Sequence, residues 1–190
     1  MVFVASYPPD TVGMIRAANE VGLKAKLFGG GMVGLGSTAI KTQLGPLLDG
    51  IVDYDFWLPF GELATPESMA FLKAYQAKAP GAGVDVLGYY LPPFAYADMQ
   101  VLQQAVEGAK SLDQDKLADY LRGHTFKTVV GDIAFGPTGE WVEPRVLEVQ
   151  FQGVKANDME QFRTPNPEVI LWPERLKSGK IIYPYTEVKH

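Results

Sequence analysis

At 190 residues with a formal net charge of −5 and a pI near 5.1, the chain lacks the basic face that a phosphate backbone demands, which argues against a nucleic-acid partner. It has no cysteine, which excludes disulfides, thiolate metal sites and a cysteine nucleophile. Hydrophobic residues at 47% and charged residues at 21% are ordinary globular proportions, and no run approaches the roughly 20 apolar residues of a membrane-spanning helix.

The opening MVFVAS reads as a strand over residues 2–5 that starts with no capping loop. It has no basic flank and is too short for a signal peptide, so the expectation is the later part of a longer protein. Tyr7-Pro8-Pro9 reads as an extended loop, with Asp10 as N-cap of a helix to residue 21. Val12, Ile15 and Ala18 share one face of that helix, and Gly22 ends it. A second strand is expected over residues 25–28. Strand, helix and strand at this spacing make a parallel crossover unit.

LFGGGMVGLGS, residues 27–37, follows as a glycine-rich loop. Gly29, Gly31 and Gly34 form G-x-G-x-x-G between a strand and a helix, with Asp53 near the place of a ribose-binding acid, so one reading is an NAD-dependent oxidoreductase. Two features weigh against it. Only Leu27 and Phe28 are large and apolar in the run before the glycines, and the helix that follows is broken at Gly45-Pro46. The competing reading gives the glycines a steric role in a loop lining a cleft for a small organic molecule.

A short helix over residues 37–44 leads to a third strand over residues 50–54, and Asp55-Phe56-Trp57-Leu58-Pro59 leaves the sheet. Thr65-Pro66-Glu67 starts a helix to residue 78. Residues 89–96 are dense in aromatics and held extended by two prolines, and a helix then runs to residue 109. Ser111 and Gln114 read as a capping box for a helix to residue 122. Residues 128–135 and 145–151 read as antiparallel strands joined around Gly136-Pro137-Thr138-Gly139.

Catalytic inventory is poor. His124 and His190 have no spaced partner for a metal, Ser6 and Ser37 have no adjacent base, and G-x-S-x-G does not occur. Asp53 and Asp55 mark a strand end. The expectation is a protein that is not an enzyme and carries no cofactor or metal.

Four stretches in order carry a family likeness: VFVASYPPDTVGMIRAANEVGLKAKLFGG, LDGIVDYDFW, GYYLPPFAYADMQVLQQAVEGAKSLD, and TFKTVVGDIAFGPTGEW followed by RVLEVQFQG. Over residues 1–153 the chain resembles the later portion of the periplasmic substrate-binding proteins of ABC transporters, in the branched-chain-amino-acid (type I periplasmic-binding) group. The resemblance implies an α/β fold of two lobes, each a parallel sheet with flanking helices, incomplete because the first part of the family's chain is missing. Residues 1–58 then belong to the second lobe, 59–130 to the first, and 131–190 return to the second.

It further implies a periplasmic solute-binding component of an ABC importer, closing on a small ligand by a hinge and docking on a membrane permease. A cytoplasmic ligand sensor of the same fold is the alternative. Tyr7 takes the place of an aromatic that faces the family's cleft. Gly31, followed by Met32, falls where amino-acid-binding members carry an acid for the ligand ammonium. A desolvated ammonium needs a counter-charge, so an amide or an aromatic acid joins amino acids as a candidate ligand. Trp57 leaves the third strand at the first crossover, where it lines the cleft or packs the hinge.

Overall fold

Alternation in the first residues sets the orientation of the main sheet. In β1 (Val2–Ser6), Val4 and Ser6 are buried while Phe3 and Ala5 face outward. Successive strand side chains point to opposite faces, so the sheet has one core face from its first strand. A computed structural model describes residues 1–143 and 145–188 and places β1 at one edge of a five-stranded sheet in the order β1-β2-β3-β6-β7. β1, β2 (Phe28–Met32) and β3 (Val52–Asp55) run parallel. β6 (Leu147–Phe151) lies antiparallel to β3, and β7 (Glu168–Trp172) antiparallel to β6.

The two crossover helices cover the same face. α1 (Pro8–Glu20) is tied to it by the Ser6–Thr11 hydroxyl pair at 2.8 Å, and α2 (Thr38–Leu44) by Lys41, which reaches Glu168. Residues 66–134 form a second assembly: α3 (Pro66–Lys78), α4 (Pro92–Ala109), α5 (Gln114–Gly123) and a hairpin of β4 (Thr125–Thr128) and β5 (Gly131–Ala134). The buried side chains run without a break from Val4 and Phe28 through Trp57, Leu58 and Tyr89 to Val101, Phe126 and Ile133.

Several expected boundaries move, each for a local reason. The second strand lies over Phe28–Met32 rather than residues 25–28, so the glycines are the strand and not a loop after it. A Cβ on Gly29 would lie 2.0 Å from the Val52 carbonyl oxygen, and one on Gly30 2.1 Å from that of Val4. The neighbouring strands thus close on β2 more tightly than any side chain allows, which is the steric role of the glycine run. α1 starts at Pro8 with Tyr7 as N-cap, displacing Asp10 into the first turn, and α4 starts at Pro92. Proline suits a first helical turn because the N–H it lacks has no partner there. Asp113, rather than Ser111, caps α5 by accepting the Lys116 N–H at 3.0 Å. Residues 128–135 do not form one strand: Val129 and Val130 make the turn of the β4–β5 hairpin.

Candidate functional site

The carboxyl ends of β1, β2 and β3 form a ledge. In open α/β sheets this end collects ligands, because the loops leaving it diverge and expose backbone groups. Tyr7 follows β1 directly and is 71% exposed. Gly31 pairs with Ala5 on one side, and on the other its Cβ position lies 4.0 Å from the Tyr54 ring. The ledge therefore has room for a molecule's edge at Gly31, between an exposed tyrosine and a half-buried one.

Tyr54 joins the two assemblies. Its hydroxyl is 2.9 Å from that of Tyr90, which enters from the segment leading into α4. Phe56 stacks on Tyr90 with centroids 5.6 Å apart and meets Phe94 edge-on at 5.9 Å. Gly36 lets the Tyr90 ring approach, since a Cβ there would sit 2.7 Å from it. Burial, then the hydroxyl contact with Tyr90, raises the Tyr54 phenol well above its ordinary pKa, so it stays neutral and keeps a donor. From Phe56 and Phe94 a groove of about 610 Å³ continues along Val101, Leu121 and Phe135 to Trp141 and Arg145.

A second tie was not legible in the sequence. Asp85 caps α2 from outside the helix: its carboxylate accepts the Thr38 N–H at 2.6 Å and the Thr38 hydroxyl at 2.7 Å. The same side chain accepts the N–H groups of Leu87 and Gly88. Only tertiary contact places an aspartate at the N-terminus of a helix 47 residues upstream.

Beneath the ledge lies a buried charged layer. Lys41 and Glu168 pair at 2.5 Å with side chains each 2% exposed. Burial, countered by Lys41, raises the Asp55 carboxyl to about 7. Burial likewise raises Asp53 to about 7, although Asp53 Oδ1 accepts the Met32 N–H at 2.9 Å. Within this layer Lys41 ties α2 to β7, and Asp53 ties β3 to β2.

Four residues were expected to touch ligand, and their surroundings divide them. Tyr7 and Gly31 are accessible on the ledge. Met32 and Trp57 are 0% exposed. Met32 points to the same face as Ser6, beneath α1, and Trp57 packs edge-on against Tyr89 at 6.2 Å.

The dinucleotide reading fails on context. A phosphate-binding fingerprint needs its glycines between a strand and a helix N-terminus. Gly29 and Gly31 instead lie inside β2, and Asp53 is buried beneath the sheet with Oδ1 accepting the Met32 N–H. His124 stacks on Tyr120 at 3.7 Å beside the end of α5, and His190 lies outside the described residues. Among the described residues no group of three or more His, Cys, Asp or Glu could hold a metal, and no helix is long and apolar enough to cross a membrane.

A mixed sheet whose parallel strands present an open ledge, tied by aromatics to a helical assembly, defines an α/β architecture. The family model described as periplasmic binding protein matches residues 1–150, and the chain belongs to that family. It is 29% identical over 139 residues to the leucine-, isoleucine-, valine-, threonine- and alanine-binding protein of Pseudomonas aeruginosa, a stretch covering 73% of this chain and 35% of that protein. An amino acid binding protein from the same organism is 26% identical over 140 residues, 74% of this chain and again 35% of the relative. The chain thus spans about a third of the length of the curated relatives it matches.

Solved structures agree on the fold. A leucine binding protein from Thermotoga maritima superposes with a TM-score of 0.64 at 20% identity, over 80% of this chain and 41% of that one. The substrate binding protein of a branched-chain amino acid transporter from Streptococcus pneumoniae, solved with isoleucine, gives 0.63 at 16% identity, over 96% and 44%. The fold is that of type I periplasmic binding proteins, represented in part.

Proposed function

We propose that this chain is part of the solute-binding component of an ABC importer and contributes one wall of a cleft that captures a small organic molecule. The observation that carries the reading is the Tyr54–Tyr90 hydroxyl contact beside Gly31, where the sheet assembly and the helical assembly meet over an accessible ledge. Membership of the periplasmic binding protein family supports it.

Residues 1–58 and the strands from β6 onward form one lobe on this reading, and the helical assembly is part of the other. Closure about the connecting segments sequesters the ligand, and the closed form docks on a membrane permease from the periplasmic side. Tyr7 packs a ring and offers a hydroxyl to the ligand, and Gly31 lets it approach the backbone of β2. The ligand is an amino acid, an amide or an aromatic acid, and the lack of an acid at Gly31 favours the last two because a desolvated ammonium needs a counter-charge. Met32 and Trp57 support the ledge from behind.

Calorimetric titration of the complete gene product with leucine, isoleucine, valine, aliphatic amides and benzoate tests this. Saturable binding of one class that Gly31→Arg abolishes is the expected result. An unchanged Kd in that variant removes Gly31 from the site.

A further inference from the structure

The edge of the main sheet opposite β1 carries a pocket that shares no residue with the ledge. β7 is the last strand in the order, and Glu168 and Ile170 point from it to the same buried face. There, residues 60–62 of the segment leaving β3 and residues 175–178 beyond β7 bound a pocket of about 330 Å³. Phe60, Ile170 and Leu176 give it apolar walls, and Glu168, 2% exposed, forms its floor. That volume is on the scale of sites for small solutes.

Floor and rim carry opposite charge. Lys41 donates to Glu168 Oε1, but Oε2 is buried with no hydrogen-bond partner among the described residues. A buried carboxylate oxygen normally has a donor, because without one it has given up its hydration for nothing. Lys41 also faces the carboxylate of Asp55, so the layer under the pocket sets one ammonium against two acids. At the rim stand Arg175 and Lys177. The Arg175 guanidinium is 3.8 Å from Glu62, too far for a hydrogen bond, and both side chains are more than half exposed. Lys177 meets the exposed Glu174 at 3.0 Å. Exposed ion pairs of this kind are weak and exchange partners readily. A simple cation entering the pocket passes two positive side chains, and a simple anion ends against Glu168. A molecule with both charges meets its opposite at each end.

We infer that this pocket is a second small-molecule site and takes a zwitterionic amine. The ammonium donates to Glu168 Oε2, the carboxylate accepts from Arg175 and Lys177, and a short apolar chain lies along Phe60, Ile170 and Leu176. Such a ligand ties the segment between β3 and α3 to the residues that follow β7, and so fastens the connection between the two assemblies to the sheet. The site stands apart from the ledge and from whatever solute the ledge takes.

The experiment is calorimetric titration of the complete gene product with the unbranched ω-amino acids from glycine to 6-aminohexanoate, with butylammonium and butyrate as single-charge controls. Hydrogen exchange locates the binding. The expected result is saturable binding of one chain length or two neighbouring ones, about tenfold or more tighter than either control. Amides at residues 60–62 and 168–178 then exchange about tenfold more slowly, and those at residues 2–7 and 28–32 are unchanged. Glu168→Gln removes the floor charge but also strips Lys41 of its partner, so Arg175→Glu, at an exposed position, is the deciding variant. It weakens the binding about tenfold or more and leaves the Tm of the free protein unchanged. If no member of the series binds, the pocket holds water alone and the inference is overturned. Equal binding of a single-charge control, or an unchanged Kd in Arg175→Glu, overturns it as well. Protection at residues 2–7 and 28–32 instead assigns the amine to the ledge, which overturns the second site and leaves the solute-binding reading standing.

Discussion

Lys41 Nζ stands 2.5 Å from Glu168 Oε1, a bond between α2 and β7 across the buried face of the sheet. Burial pulls the Lys41 pKa down, but Glu168 and Asp55 outweigh it and leave the ammonium above its ordinary value. Removing the cation leaves Glu168 and Asp55 buried without a counter-charge. Lys41→Met should therefore cost about 3–5 kcal/mol, read by urea denaturation. The double variant Lys41→Met/Glu168→Leu should recover much of that loss, because it removes the ion pair and its like-charge contact with Asp55, whose raised pKa of about 7 lets it take up a proton.

Asp53 and Asp55 predict a pH dependence of definite sign. Both carboxyls sit near pKa 7 when folded against an ordinary value of 3.8. A carboxyl raised by folding contributes most below the unfolded value, and its contribution is lost as pH rises from about 4 to about 7. Asp53→Asn keeps an acceptor for the Met32 N–H and removes one of the two titrations. The slope of stability between pH 4 and 7 should flatten in this variant, with stability at pH 7 unchanged or higher. An unaltered slope in urea titrations at four pH values would show that Asp53 is ionised throughout.

Glycine positions in β2 separate a steric role from a ligand role. Gly29→Ala and Gly30→Ala drive a methyl into the carbonyls of Val52 and Val4 and should each destabilise by about 1–3 kcal/mol or more. Gly31→Ala meets only the Tyr54 ring edge at 4.0 Å and should stay near wild type. Thermal melts of the three variants give this ranking directly, and a uniform loss contradicts it.

Much of residues 1–58 was legible because its signals are local. Val12, Ile15 and Ala18 recur at helical spacing after the apolar run at residues 2–5, and the β-α-β order follows. The glycine strand was misplaced because β-propensity ranks Gly-Gly-Gly as a loop, and the pressure that requires it comes from Val4 and Val52 on neighbouring strands. Prolines 8 and 92 misled for the opposite reason, since they open helices as readily as they extend loops. Tyr7 and Gly31 were singled out by the family likeness, and the reading of residues 27–37 as a loop hid that Gly31 lies inside β2. The burial of Met32 and Trp57 depends on residues far along the chain, which no spacing reveals.

Asp85 predicts coupling between the two assemblies. Asp85→Ala removes the cap of α2 and the acceptor for Leu87 and Gly88 together, and should cost about 1–3 kcal/mol. Hydrogen exchange should rise both in α2 and in residues 85–90. A rise confined to one of them would show that the bond does not link the assemblies.

The most direct measurement of the central claim is a thermal-shift screen of the complete gene product against amino acids, aliphatic amides and aromatic acids. A ligand at roughly 100 times its Kd adds about 2.7 kcal/mol to the folded state, so the solute should raise Tm by several degrees, and by markedly less in Tyr7→Ala. If no member of the three classes moves Tm, the chain does not belong to a solute-capturing cleft of this chemistry.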